Sequence, residues 1–290
     1  MKIVQTFWSK PLLQGATQTF YQRGDTGGWL DRKNYYVSWA LSCLQLCKFY
    51  DQVELVTDEV GKEILIDRLK LPYTNVVVTL DKLNHFHTDL WALGKIHSYG
   101  IQREPFIHVD SDIYIWDKFG IEHGDLISQN FEKGYFYNEI LKNFSTHFSY
   151  FPECLASQIN NEHMVHSINA GIFGGSNWPF IQEYTRQAYH FVERNLVQLP
   201  MIEIAKFNVL FEQILFFYLA AEKNLEITPL VNDTFSTYGK WIVNFDGVPE
   251  STKFIHAIGG HKKDVAVNEH ICNHLQTDYP KHFELVNRLF

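Results

Sequence analysis

The chain has 290 residues, a formal charge of −8, and 46% hydrophobic and 16% aromatic residues. That composition lacks the glycine and proline load of a collagen-like chain and the polarity of a disordered one. The negative charge and the absence of any Lys/Arg cluster argue against a nucleic-acid partner. The longest uninterrupted apolar run, Ile214 to Ala221, is far short of the roughly 20 residues that span a bilayer, so no transmembrane segment is expected.

Residues 2–8 read as a first strand, with no apolar stretch of signal-peptide length and no cleavage site. A cytoplasmic location follows as an expectation, with peripheral attachment to a membrane left open. A loop with Gly24, Gly27 and Gly28 leads to residues 34–50, a helix apolar nearly all round that should be buried against a sheet. Cys43 and Cys47 lie one turn apart on it; with Cys154 and Cys272 they show no C-x-x-C spacing and read as core thiols. Then come a strand at 52–57, an amphipathic helix at 59–69, a β-branched strand at 75–79, a helix at 89–99 and a strand at 106–109. This alternation is the signature of an α/β layer around a central, mostly parallel sheet flanked by helices. Residues 119–166 read as a loop-rich, aromatic stretch. After a Gly-rich segment at 169–175 the pattern predicts helices at 179–195 and 208–223 and a strand at 253–256. Nothing resembles a linker or an internal repeat, so residues 1–290 are expected to form a single domain.

The sharpest chemical feature is Phe106-Ile107-His108-Val109-Asp110-Ser111-Asp112, an apolar strand ending in two carboxylates. On an extended backbone residues i and i+2 share a face, so Asp110 and Asp112 can converge on one cation. Ligands of open α/β sheets gather at the carboxyl ends of strands, and hard oxygen ligands suit Mg²⁺ or Mn²⁺. The bland alternative is a solvated turn. A second feature is Ile255-His256-Ala257-Ile258-Gly259-Gly260-His261-Lys262. A neutral His256 offers a nitrogen ligand, the glycines allow close backbone approach to an anion, and Lys262 can pair with a phosphate. These roles fit one ligand, a metal diphosphate. The pairs His85/His87, His163/His166 and His270/His274 lack a third ligand at convincing spacing. The aromatics Trp29, Tyr35, Trp39, Trp91, Trp116, Trp178 and Trp241 read as core.

Together the two segments resemble the nucleotide-sugar-dependent glycosyltransferases of the A-type fold. The nearest resemblance is to the retaining family containing glycogenin and the bacterial lipooligosaccharide galactosyltransferases. That family pairs D-x-D with a late H-x-x-G-x-x-K-P-W motif. Here His256-x-x-Gly259-x-x-Lys262 matches its first seven positions, while Lys263-Asp264 stand where the family has Pro-Trp. Residues 53–58 look like the family's second strand, Asn169-Ala170-Gly171 like its N-A-G segment beside the donor sugar, and Glu212-Gln213 like its acidic residue followed by Gln. The resemblance spans residues 2–263.

The resemblance implies a Rossmann-like α/β fold with a nucleotide-binding half, 1–118, and an acceptor and sugar half, 119–290. It implies that Asp110, Asp112 and His256 bind Mn²⁺ or Mg²⁺, that Gly259 and Lys262 hold the diphosphate, and that Ser111 lies against the donor. Thr6 would serve the nucleoside pocket and Lys95 a donor contact. Asn169, Ala170 and Gly171 would line the sugar. Glu212 and Gln213 would be the catalytic pair near the anomeric carbon, stabilising an oxocarbenium-like state in a retaining enzyme, or with Glu212 as general base in an inverting one. The implied activity is hexosyl transfer from a nucleoside diphosphate sugar, by analogy a UDP-sugar, to a hydroxyl of a glycan, glycolipid or protein acceptor, as in assembly of a bacterial surface glycan. A metal-dependent phosphate-ester hydrolase or nucleotidyltransferase, and a non-catalytic binding module, are the alternatives. The chain carries no phosphate loop, dinucleotide fingerprint or nucleophile elbow.

Overall fold

The computed structural model describes residues 1–14, 24–232 and 242–290; Trp241 lies outside them. Nine strands are described: β1 Lys2–Phe7, β2 Val53–Thr57, β3 Asn75–Val78, β4 Phe106–Val109, β5 Ile113–Ile115, β6 Leu126–Gly134, β7 Val165–Gly175, β8 Ile227–Pro229 and β9 Phe254–His256. The helices are α1 Ser9–Gln14, α2 Arg32–Phe49, α3 Glu59–Lys62, α4 Leu93–Gly100, α5 Tyr135–Ser145, α6 Glu153–Ala156, α7 Trp178–Glu193, α8 Ile204–Val209, α9 Leu215–Glu222, α10 Val265–Asp278 and α11 Pro280–Asn287. Seven strands form one sheet in the order β3-β2-β1-β4-β7-β6-β8, and β5 and β9 form a second, two-stranded one. The pairs β1–β2, β2–β3 and β6–β8 are parallel, and β6–β7 is antiparallel. The architecture is α/β, a central, mostly parallel sheet flanked by helices, consistent with a Rossmann-like fold.

The chain divides into two compact units, one of Met1–Thr88, Val109–Gly120 and Tyr238–Phe290, the other of Asp89–His108 and Ile121–Thr237. The C-terminal segment thus returns to the unit built by the N-terminus.

In the first unit, parallel pairing calls for strands apolar on both faces, and Val53 to Thr57 are all buried. Against them lies α2, whose residues Tyr36 to Leu46 are buried without interruption, as an all-round apolar helix requires. Its start is capped by Asp31, which accepts the Asn34 N–H at 2.7 Å. Asp58 does the same for α3, accepting Gly61 N–H at 2.7 Å, and also accepts the backbone N–H and hydroxyl of Ser9. From the C-terminal helices α10 and α11, Val267, Ile271, Leu275 and Val286 join this core.

The second unit corrects the sequence reading of 119–166. That stretch holds β6 and α5. Its strand hides from pattern reading because Ser128, Gln129 and Asn130 are fully buried polar residues, so no alternation of apolar and polar positions appears. The strand is made by its partner, with Ile127 opposite Gly174 and Asn130 opposite Asn169 in β7. Gly174 and Gly175 have φ of 154° and 132°, and a Cβ on either would meet a backbone carbonyl oxygen, Phe106 or Asp125, at 2.1 Å. The Gly-rich segment is therefore a strand that other backbone approaches closely.

The residues from Ile204 to Glu222 run as one helical stretch, α8 and α9 joined by a π-helical segment, Leu210–Ile214. By length and composition alone this stretch could cross a membrane, which the short apolar run had not suggested, yet 61% of its most apolar window is buried within the protein. It packs as a core helix.

Candidate functional site

The D-x-D residues belong to the first unit. Convergence does not arise from an extended backbone as the sequence suggested. Residues 110–112 form a turn in which the Asp110 carbonyl accepts the Ile113 N–H at 3.2 Å. On α2, Ser38 fixes this turn, its hydroxyl donating to the Ser111 carbonyl and lying 2.7 Å from the Tyr114 hydroxyl. Antiparallel pairing of β5 with β9 then sets Ile113 opposite His256, and the Ala257 N–H donates to the Asp112 carbonyl at 2.9 Å. One candidate ligand atom from each of Asp110, Asp112 and His256 lies within 4.8 Å of the other two. No second such group occurs among the described residues.

Beyond β9 the chain turns at Gly259, whose φ of 54° suits glycine. Among the described residues, a Cβ at Gly259 or Gly260 would meet nothing within 4 Å, so these leave space open over both. The short 3₁₀ segment Gly259–Lys263 carries Lys262, whose carbonyl accepts from Asn268 Nδ2 at 2.9 Å. The Lys262 stem passes Gly28, and its ammonium lies 5.8 Å from the centroid of the buried Trp29 ring. Lys263, standing where the resembled family has proline, donates to the Trp29 carbonyl.

Asp112, His256 and Lys262 are all buried. Lys262 Nζ lies 2.6 Å from Asp112 Oδ2 and His256 Nε2 lies 3.4 Å from Oδ1. Burial by itself would raise the Asp112 pKa, but the Lys262 ammonium and then His256 outweigh it and hold the carboxyl well below the usual carboxylate range. Asp112 Oδ1 accepts no hydrogen bond among the described residues although it is buried. A buried carboxylate oxygen beside an imidazole nitrogen and a second carboxylate is a donor set that could hold a metal ion.

Thr6 lies near the carboxyl end of β1, in register with Val56 and half-buried. The other predicted residues lie in the second unit. Lys95 stands on α4, whose first turn is braced by buried Asn208, its Oδ1 accepting the Ala92 N–H at 2.9 Å. The Lys95 ammonium pairs with Glu212 Oε1 at 2.5 Å and donates to the Ala170 carbonyl at 3.2 Å. It thereby joins three segments that the sequence reading had singled out separately. Glu212 is fully buried and sits in the π-helical segment, while Gln213 is half-buried. Tyr184 donates toward the Phe211 and Glu212 carbonyls at 3.1 and 2.7 Å, serving groups that a π-turn leaves without ordinary helical partners. Asn169 is engaged within the protein: its Oδ1 accepts the Gly171 N–H at 2.9 Å and its Nδ2 donates to Glu132 Oε1 at 3.1 Å. Glu132 also accepts from Tyr137. Sequence reasoning missed Ser38, Glu132 and Tyr137 and read Trp29 only as core; Ser38, Ser42 and Gln45 are polar positions on an otherwise apolar stretch, and nothing in the sequence marks the first of them. Of the discounted histidines, His270 stacks on Phe245 and His274 pairs with Asp278.

A model of the family described as DUF6734, a family of unknown function, matches residues 1–289. The chain belongs to that family. The match covers both units, and so both the Asp110, Asp112 and His256 cluster and the Lys95 and Glu212 pair lie in the family's span. No curated protein matches the chain.

Proposed function

We propose that the protein is a divalent-metal-dependent glycosyltransferase that moves a sugar from a nucleoside diphosphate donor, a UDP-sugar by analogy, to an acceptor hydroxyl. The observation that carries the reading is the cluster of half-buried Asp110 with buried Asp112 and His256, with Lys262 at its side. Three ligands of that type hold a hard cation, and a lysine beside them suits a diphosphate. Asp110, Asp112 and His256 would hold Mn²⁺ or Mg²⁺, which when bound supplies Lewis-acid stabilisation of charge on the departing diphosphate. Lys262 adds a positive charge for the same phosphates, and the open space over Gly259 and Gly260 leaves room for their oxygens. In the second unit the resemblance assigns Asn169, Ala170 and Gly171 to the sugar, and Glu212 and Gln213 to the anomeric centre. Lys95 pairs with Glu212 at 2.5 Å and limits the positions its carboxylate can take. The acceptor class is a glycan, glycolipid or protein. Four free thiols suit a reducing, cytoplasmic location.

The test is calorimetric titration of UDP, with GDP as control, in Mn²⁺ and again in EDTA. Metal-dependent binding of one nucleotide is the expected result. Absence of binding by either would overturn the reading in favour of a phosphate-ester enzyme or a binding module. Asp112→Asn should abolish the metal-dependent binding while leaving the circular dichroism spectrum unchanged.

A further inference from the structure

We infer that Lys262 holds the place of the metal on Asp112 until a diphosphate draws it away, so that the site takes a divalent cation and a diphosphate together and neither tightly alone. The inference rests on the function proposed above and adds how the two ligands depend on each other.

A carboxylate as buried as Asp112 is costly without an opposite charge. In the ligand-free protein that charge is the Lys262 ammonium, 2.6 Å from Oδ2. The same carboxylate is a member of the three-residue cluster suited to a cation. A divalent ion arriving alone would meet the ammonium at close range in a buried setting, where like charges repel strongly. Displacing the ammonium would in turn cost it the 2.6 Å contact with Asp112 in a buried setting. A diphosphate resolves the conflict because it offers the ammonium a new anion while the metal takes over Asp112.

The local geometry suits such an exchange. Asn268 holds the Lys262 carbonyl and the stem passes Gly28, which has no side chain to block it, so the head can move while the backbone stays in place. Open space over Gly259 and Gly260 adjoins the segment that carries it. Trp29 flanks the head with an aromatic ring, which favours a cation without supplying a competing hydrogen-bond acceptor. Binding coupled in this way is reciprocal: the factor by which UDP strengthens Mn²⁺ equals the factor by which Mn²⁺ strengthens UDP.

The experiment measures Mn²⁺ affinity by electron paramagnetic resonance, and UDP affinity by calorimetry, each with and without the other ligand. Wild type and Lys262→Met are compared, the latter keeping the apolar stem. In wild type, UDP should strengthen Mn²⁺ binding by about tenfold or more. Lys262→Met should bind Mn²⁺ alone about tenfold more tightly than wild type, and UDP should no longer add that factor. Wild-type Mn²⁺ binding that is equally tight with and without UDP overturns the inference whether or not the variant folds. A folded Lys262→Met that binds Mn²⁺ no better than wild type also overturns it. If wild type binds no UDP even with Mn²⁺, the proposed function itself fails and takes the inference with it, whereas uncoupled binding of both ligands overturns the inference alone.

Discussion

Lys95 and Glu212 make a strong demand on the second unit, since both side chains are nearly or wholly withdrawn from water. Removing one partner strands a buried charge, which costs about 3–5 kcal/mol, whereas replacing both with apolar residues can be nearly neutral. Glu212→Gln and Lys95→Met should therefore each lower unfolding free energy by about that amount in urea titrations, and Lys95→Met with Glu212→Leu should recover most of it. Single losses below about 1 kcal/mol would show that water reaches the pair. Thiol reactivity offers a second test. A hydrogen bond from Cys43 lowers the Cys47 pKa against the opposing effect of burial, while burial and then Glu222 push Cys154 up to about 12. The thiolate is the nucleophile, so iodoacetamide at pH 8 should label Cys47 well before Cys154. Equal rates, read by peptide mass spectrometry, would contradict this.

At the level of elements, the site is built by turns and pairings more than by helices. The β5 and β9 pairing brings His256 to Asp112, and Ser38 on α2 fixes the turn between the two aspartates. In the second unit, β7 owes its close approach to other backbone to Gly174 and Gly175. A methyl group at Gly174 would meet the Phe106 carbonyl oxygen at 2.1 Å on a backbone that L side chains rarely adopt. Gly174→Ala should destabilise the protein by roughly 2 kcal/mol or more, combining overpacking with backbone strain. Asp31→Ala, which removes only the exposed α2 cap, should cost about 1 kcal/mol. Reversal of that order in denaturant titrations would mean that β7 relaxes around the new methyl.

For the whole molecule, the proposed ligands act on stability through the first unit alone. At 100 times its dissociation constant, the Mn²⁺–UDP pair should raise the unfolding free energy by about 2.7 kcal/mol if that unit opens in the same transition. Hydrogen exchange should slow in residues 109–120 and 254–263, where the ligand residues lie, and EDTA should reverse it. Protection confined to other segments would place the nucleotide elsewhere. The helical stretch Ile204–Glu222, with its buried ion pair, is a core element. Its amide exchange should be slow and should not change when liposomes are added.

The α/β class, the buried α2 helix and the two segments bearing Asp110, Asp112, His256 and Lys262 were legible in the sequence because each is written in a short run of residues. Apolar periodicity and strand-end carboxylates are local signals. What the tertiary structure decided involves partners far apart in the chain. The pairing of Ile113 with His256 closed the ligand cluster, and a turn replaced the extended backbone expected between the aspartates. Buried Ser128, Gln129 and Asn130 hid β6, which is placed by pairing with β7 on one side and β8 on the other. Lys95 read as a donor contact, and only packing set its ammonium against Glu212 and Ala170. A charged side chain looks the same in sequence whether it meets solvent, ligand or a buried counter-charge; the desolvation that distinguishes these states exists only once the chain has folded.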